Sequence, residues 1–106
     1  MKKQIFEVNS KQELSDVIEN NKGVLIVDFT SPTCPPCLML EPVFEELAEK
    51  GYASIAKINV LENQNLASEF NISATPTLII VKDNKIKKSV LGYQPLESWI
   101  KLIEEI

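Results

Sequence analysis

The chain has 106 residues, which predicts a single domain over residues 1–106 with a sizeable hydrophobic core. Eleven basic and fifteen acidic side chains give a net charge of −4, so the composition lacks the basic character of proteins that bind nucleic acid or anionic lipid. The absence of histidine excludes catalysis by Ser–His–Asp or Cys–His groups and restricts any metal site to thiolate and carboxylate ligands.

Nothing in the N-terminal region has the composition of a secretion signal. The lysines at positions 2 and 3 are followed by Glu7 and Asn9 rather than by an apolar stretch. The apolar run of residues 24–27 is far too short to span a bilayer. We therefore expect a protein of the cytoplasm without a membrane partner. We also expect a monomer with no nucleic-acid partner.

Strand and helix patterns alternate along the chain. Hydrophobic periodicity predicts strands at 4–8, 24–29, 53–60, 77–81 and 86–91. Between and after them it predicts a helix capped by Ser10 and Glu13 and ended by Gly23, a helix around 40–48 ended by Gly51, a short helix at 63–70, and a last helix that begins at Pro95 and buries Trp99. A turn at 83–85 joins the last two strands. Pro42 lies inside the second helix, where it should remove a hydrogen bond and bend the helix. This order predicts an α/β fold, with a mixed sheet of about five strands covered by helices on both faces.

The only two cysteines, Cys34 and Cys37, enclose Pro35 and Pro36 between the central strand and the second helix. A zinc site needs four ligands, so this pair would serve one only if the site were shared between chains. A structural disulfide would close so short a loop that it would contribute about 2 kcal/mol before any strain. A redox pair is the third interpretation, and the Cys-x-x-Cys spacing beside a βαβ pattern favours it.

In the redox interpretation, the positions of the two cysteines determine their roles. Cys34 precedes the helix, where free amides and the helix dipole favour a thiolate and lower the thiol pKa, so it is predicted to attack. Cys37 lies one turn further along the helix and is expected to be less exposed. It is therefore predicted to resolve the mixed disulfide and release the substrate.

Six segments spread along almost the whole chain carry a resemblance to a known family: residues 27–29, residues 34–37, Pro42, residues 56–59, residues 74–77 and Gly92. In order and spacing they resemble the corresponding segments of the thioredoxin family. The resemblance implies the thioredoxin fold and the reduction of disulfides in client proteins, with a thioredoxin reductase restoring the dithiol. It implies no bound cofactor beyond a redox-active disulfide between Cys34 and Cys37.

Asp28 is an acid inside the apolar central strand, where burial would raise its pKa. The resemblance implies that it helps to deprotonate the resolving Cys37. From the residues alone, Asp28 also fits the description of an acid near a strand end that caps a loop or meets solvent. Lys57, on the next strand, is predicted as a supporting residue, because an ion pair with Asp28 would lower the desolvation cost of both groups. As a surface lysine, Lys57 would have no such role. The sequence leaves both interpretations of Asp28 and both interpretations of Lys57 open.

The resemblance also implies a loop that binds the client. Pro76 matches the family's cis-proline, which faces the dithiol, and the backbone of Thr75 would pair with an extended client peptide as an added strand. Ala74 precedes this pair and Thr33 precedes the first cysteine, and both are predicted to contact the client. Gly92 would leave room for the same peptide, with an ordinary turn glycine as the alternative.

The chain departs from the family's usual pattern around the cysteines. Pro35 replaces a common glycine and lacks an amide hydrogen, Thr33 replaces a tryptophan, and Thr30 replaces another common aromatic residue. With fewer amide donors, we expect the pKa of Cys34 to lie above that of a typical thioredoxin. With fewer aromatic residues, we expect less apolar surface beside the dithiol.

Three other functions remain open at the level of sequence. Glutaredoxins share Cys-Pro-x-Cys and a threonine before the cis-proline, but this chain adds an N-terminal strand and helix and lacks a Gly-Gly-x-Asp segment after Pro76. Oxidase and isomerase variants of the fold usually carry a secretion signal. A non-catalytic binding module that uses the cis-proline groove without turnover would need neither cysteine.

Overall fold

The computed structural model describes residues 2–106. Its elements, in chain order, are β1 (Ile5–Glu7), α1 (Lys11–Asn20), β2 (Val24–Thr30), α2 (Pro35–Glu49), β3 (Ser54–Asn59), α3 (Gln64–Glu69), β4 (Thr77–Lys82), β5 (Lys85–Leu91) and α4 (Leu96–Glu105). Every strand and helix that the sequence predicts is present. The largest difference in bounds is at α2, which begins ahead of the predicted apolar stripe because the two prolines form its first turn.

The strands form one five-stranded mixed sheet in the order β1-β3-β2-β4-β5. β3 runs parallel to β1 and β2, whereas β4 runs antiparallel to β2 and β5. β2 is the central strand, with hydrogen-bonded neighbours on both sides. The predicted α/β architecture is therefore confirmed. Among the described residues, no helix is long and apolar enough to cross a bilayer.

Side chains of β2 alternate between two buried clusters, one on each face of the sheet. Leu25, Val27 and Phe29 pack with residues of α1 and α3, whereas Ile26 packs with residues of α2 and α4. Because the side-chain period of a strand is two, Asp28 lies on the same face as Ile26, the face that α2 covers. This alternation brings the acid beneath the helix that carries both cysteines.

α1 begins with the predicted capping box in a shifted form. The Glu13 amide donates to Ser10 Oγ at 3.1 Å, and Glu13 Oε1 accepts from the Asn9 amide at 3.0 Å rather than from that of Ser10. Gly23 does not end this helix, because the chain already leaves it at an extended Asn21. With φ +85°, Gly23 instead forms the turn into β2.

α2 continues through Pro42 without interruption and ends where the sequence predicts, before Gly51. Gly51 has φ +81°, and its amide donates to Ala48 O at 3.0 Å. The Tyr52 amide donates to Leu47 O at 2.9 Å. Together these two bonds form a Schellman motif, whose left-handed residue is usually glycine. The end of α2 is thereby fixed by local sequence, as its start is fixed by the prolines.

Candidate active site

Cys34 and Cys37 form a disulfide at the N-terminus of α2, with their Cα atoms 5.2 Å apart. Cys34 is the N-cap residue of the helix, and its amide closes the preceding turn by donating to Ser31 O at 3.4 Å. Cys34 is half-buried, whereas Cys37 is only 3% exposed. The first cysteine is therefore the accessible member of the pair.

The first turn of α2 offers the Cys34 sulfur one amide donor. The Cys37 amide donates to Cys34 Sγ at 3.3 Å, and the Leu38 amide is already used by Cys34 O at 3.1 Å. Pro35 and Pro36 have no amide hydrogen. Since the side chain of an N-cap residue normally accepts from the second or third helical residue, the donor missing at Cys34 Sγ is that of Pro36 rather than that of Pro35.

The loop before β4 lies against the first cysteine. The peptide bond between Thr75 and Pro76 is cis, and Thr75 O lies 3.5 Å from Cys34 Sγ. The Gly92 amide donates to Pro76 O at 2.9 Å, which fastens the end of β5 to this loop. Pro76 is buried, and Gly92, with φ +89°, has open space where a side chain would point. The fold thus brings these four residues together at one surface.

Two further predicted contact residues flank this surface. Thr33 is exposed in the turn before α2, where its Oγ1 lies 3.2 Å from Ser31 Oγ and its amide donates to the same hydroxyl. Ala74 is exposed in the loop before β4, and its carbonyl accepts from Thr77 Oγ1 at 2.6 Å. Local hydrogen bonds therefore hold both turns in place beside the disulfide.

Asp28 is a buried acid beneath α2. It is 4% exposed, and its Oδ1 has no hydrogen-bond partner. Burial raises the pKa of Asp28 from 3.8 to about 7; the nearby Lys57 ammonium lowers this pKa and the Glu41 carboxylate raises it. A carboxyl group that titrates near neutral pH both accepts and releases protons there, so Asp28 is suited to acid–base chemistry.

Lys57 stands beside Asp28 in the sheet but pairs with a different carboxylate. The two residues are partners in the parallel register of β2 and β3. The Lys57 ammonium donates to Glu41 Oε1 at 3.3 Å, and among residues 2–106 it forms no ion pair with Asp28. The Lys57–Asp28 pair considered from the sequence is therefore not formed, because Glu41 offers the ammonium a partner at the surface.

Glu41 lies near Asp28 and Lys57, although its position in the sequence gives no sign of this. It lies one helical turn after Cys37 and next to Leu40, at the edge of the apolar stripe of α2. A charged residue at such an edge usually indicates a solvated helix face. Only the packing of α2 over β2 and β3 reveals that Glu41 meets Lys57 and lies near Asp28.

The site contains a redox-capable disulfide rather than a set of metal ligands. Cys34 and Cys37 are bonded to each other, so neither offers a free thiolate in this form. Within the part of the chain that the structure describes, there is no group of three or more His, Cys, Asp or Glu residues that could hold a metal ion.

The chain is similar to proteins of one family. The family model described as Thioredoxin matches residues 5–105. A thioredoxin of Chlorobaculum thiosulfatiphilum is 40% identical over 102 residues, covering 94% of each protein, and a thioredoxin of Bacillus subtilis is 36% identical over 89 residues, covering 82% of this chain and 86% of the relative. Among solved structures, a mutant thioredoxin from Halobacterium salinarum has a TM-score of 0.88 at 39% identity, covering 96% of this chain and 89% of that one.

Replacing Asp28 by asparagine should remove a pH-dependent loss of stability. The pKa of Asp28 is about 7 in the folded chain against an ordinary value of 3.8, so between these values the folded state holds the proton more tightly than the unfolded state. The free energy of unfolding of the native protein should therefore fall as the pH rises from about 4 to about 7 and level off above. Over this range, the free energy of unfolding should fall by roughly 4 kcal/mol.

Urea unfolding of the disulfide form at a series of pH values measures this dependence. Asp28→Asn should flatten the curve in that range and be more stable than the native protein at about pH 8. Asp16→Asn is the matched control, because it removes the same charge from an exposed position on α1 and should keep the native slope. Equal slopes in the native protein and Asp28→Asn would contradict a raised pKa at Asp28.

Replacing Pro36 by alanine should lower the pKa of Cys34 in the reduced protein. The change adds an amide at the second helical position, where it can donate to the Cys34 thiolate. Hydrogen bonds to charged groups contribute about 1.5–3 kcal/mol, and water competes for part of this at a half-buried sulfur, so we expect the pKa to fall by about one unit. The ultraviolet absorbance of the thiolate, followed against pH, measures it.

Pro35→Ala is the matched control for this change. Its new amide would lie at the first helical position, which does not normally donate to an N-cap side chain. Pro35→Ala should therefore move the titration of Cys34 less than Pro36→Ala does. A larger shift in Pro35→Ala would mean that the first amide is the missing donor, and an equal shift would contradict the assignment to the second.

Proposed function

The chain belongs to the thioredoxin family and is a thiol–disulfide oxidoreductase, and we propose that it reduces protein disulfides through a Cys-Pro-Pro-Cys active site. The observation that carries the proposal is the Cys34–Cys37 disulfide at the N-terminus of α2, with Cys34 half-buried and Cys37 3% exposed. This asymmetry supports Cys34 as the attacking thiol and Cys37 as the resolving thiol.

In the first step, the Cys34 thiolate attacks one sulfur of the client disulfide. A bond forms between Cys34 Sγ and that sulfur, the client's own disulfide bond breaks, and the second client sulfur leaves as a thiolate. The Cys37 amide, 3.3 Å from Cys34 Sγ, and the dipole of α2 stabilise the negative charge on Cys34 before the attack.

The client segment is proposed to lie along the loop formed by Thr75 and Pro76. Thr75 O, 3.5 Å from Cys34 Sγ, is in position to accept a hydrogen bond from a client amide next to the attacked cysteine. Open space beside Gly92 and the exposure of Ala74 and Thr33 support the approach of a peptide backbone. Such backbone pairing selects an extended conformation rather than a particular sequence, so the site suits many clients.

In the second step, the Cys37 thiol loses its proton and attacks Cys34 Sγ. The Cys34–Cys37 bond forms as the mixed disulfide breaks, and the client sulfur leaves as a thiolate, so two electrons have passed from the dithiol to the client. Asp28 is the proposed acceptor of the Cys37 proton, because a carboxyl group with a pKa of about 7 is half ionised at neutral pH. Lys57 supports this role by favouring the ionised form.

Members of this family exchange electrons with a thioredoxin reductase and with disulfide-containing client proteins. We propose that a reductase returns two electrons to the Cys34–Cys37 disulfide, so that the protein needs no bound cofactor of its own. We also propose that residues 1–106 act as one monomeric domain in the cytoplasm, where cellular thiols are kept reduced. The match of a single family model to residues 5–105 supports the single domain.

The reduction potential of the Cys34–Cys37 pair tests the direction of electron flow. Equilibration with defined thiol–disulfide buffers should give a midpoint at or below roughly −250 mV, the range of a thioredoxin-type reductase. A midpoint above roughly −200 mV would contradict the reductase and indicate an oxidase- or isomerase-like protein. A pair that does not exchange would leave only the binding-module function.

Replacing Cys37 by serine should trap the mixed disulfide. A synthetic peptide with an internal disulfide supplies the substrate, and mass spectrometry without reductant measures the adduct. Cys37→Ser should accumulate one peptide per chain once the peptide thiol released in the first step is alkylated, because the chain then holds no second thiol to attack Cys34 Sγ. Cys34→Ser is the matched control and should accumulate none, since Cys37 is only 3% exposed. An adduct in Cys34→Ser alone would reverse the two roles.

A further inference from the structure

Glu41, Lys57 and Asp28 line one small cavity beneath α2. The cavity has a volume of about 80 Å³, and its other lining residues are Ile5, Phe44, Glu45 and Ile55. Asp28 is buried at one side of it, whereas the Lys57 and Glu41 side chains are 29% and 46% exposed. The three charges therefore form a series from the protein interior to the surface.

The Lys57 ammonium has two carboxylates within its neighbourhood and pairs with the outer one. It lies 3.3 Å from Glu41 Oε1, while Asp28 Oδ1 has no hydrogen-bond partner. A pair with Asp28 would draw the ammonium out of water, which costs free energy that the ion pair only partly returns. A pair with Glu41 leaves both charged ends hydrated while the lysine stem covers apolar surface.

We propose that Glu41 is a positioning residue that holds the Lys57 ammonium at the outer side of the cavity and thereby keeps Asp28 able to accept and release a proton at neutral pH. Glu41 acts through Lys57, the group with which its carboxylate pairs. This inference rests on the proposed role of Asp28 as the acceptor of the Cys37 proton.

The electrostatics of Asp28 agree with this arrangement. Lys57 lowers the pKa of Asp28 and Glu41 raises it, against a larger effect of burial. Other charged groups near Lys57 are Glu45, on α2, Glu7, its register partner on β1, and Glu62, which lines a neighbouring cavity with Lys57 and Glu41. On β4, the partner of Asp28 is the apolar Leu78. Without Glu41, the ammonium would be free to approach Asp28, and Asp28 would become a weaker base.

The cavity also gives Asp28 a route for its proton. Water needs roughly 10–15 Å³ of such volume, so a cavity of about 80 Å³ is large enough to admit it. A proton taken from Cys37 can then pass from Asp28 through water toward the exposed Glu41 carboxylate. The carboxylate that positions Lys57 thus also lies at the outer end of this route.

The titration of Asp28 in Glu41→Gln tests the proposal directly. Carbon-13 NMR of the Asp28 carboxyl in the disulfide form follows this group alone. We expect its pKa to fall by about half a unit, the size of effect that partly exposed ion pairs produce. The pH dependence of mixed-disulfide resolution should shift to lower pH by a similar amount.

Glu45→Gln is the matched control, because it removes the same charge from an exposed residue of α2 that lines the same cavity but does not pair with Lys57. It should move the titration of Asp28 by less than half as much as Glu41→Gln does. An equal shift in both variants would mean that general charge, not the pairing of Lys57, is responsible, and would overturn the proposal. An unchanged titration in Glu41→Gln would overturn it as well.

The same pair of measurements in a Lys57→Met background separates positioning from direct repulsion. If Glu41 acts through Lys57, adding Glu41→Gln to Lys57→Met should shift the titration of Asp28 much less than it does in the native background. A shift of the same size in both backgrounds would contradict the positioning role.

The roles of Glu41 and Asp28 are tested by separate measurements. If Asp28→Asn leaves the rate of mixed-disulfide resolution unchanged, the role of Asp28 as proton acceptor is wrong. The NMR titration of Asp28 still decides, independently of any activity, whether Glu41 controls its protonation. Thermal unfolding of each variant verifies that the fold is retained.

Discussion

Burial of β2 on both faces of the sheet is the constraint on which the rest of the site depends. Its hydrogen bonds to β3 and β4 fix its register, and the two hydrophobic clusters fix which side chains face which helices. The pairing of Phe29 with Thr77 brings the start of β4 beside the end of β2. Because Pro76 precedes Thr77 and Cys34 follows β2 after a short turn, the disulfide and the cis-proline loop meet at one edge of the sheet.

The same double burial creates the conflict at Asp28. An acid on a strand whose faces are both covered must either remain protonated or carry its charge with little help from water. Lys57 stands beside it in the sheet and would stabilise the charge, but its ammonium extends to Glu41 on α2. Asp28 is thus left with an unpaired oxygen and a pKa near neutrality, at a cost in stability that grows from about pH 4 and is complete above about pH 7. The fold tolerates this cost because the surrounding core residues are well buried.

Local sequence determines most of the fold because the relevant signals act over a few residues. The apolar run of β2, the cap formed by Ser10 and the Schellman motif at Gly51 each satisfy backbone groups or bury side chains nearby. Asp83 and Asn84, with φ of 53° and 64°, form the predicted tight turn between β4 and β5, since both residue types tolerate the left-handed region. The prediction that Gly23 ends α1 was wrong, because a glycine is equally suited to a helix cap and to a turn that precedes a strand.

The sequence by itself determined the order of the elements, the mixed sheet, and the position of the Cys34–Cys37 pair at a helix start, because periodicity and spacing along the chain carry that information. Only the tertiary structure determined which carboxylate pairs with Lys57, and only the tertiary structure placed Glu41 beside the site. Those outcomes depend on the register of β3 against β2, on the rotation of α2 over the sheet, and on which charged ends remain in water. None of these quantities is a property of a local segment, so no pattern within the chain could predict them.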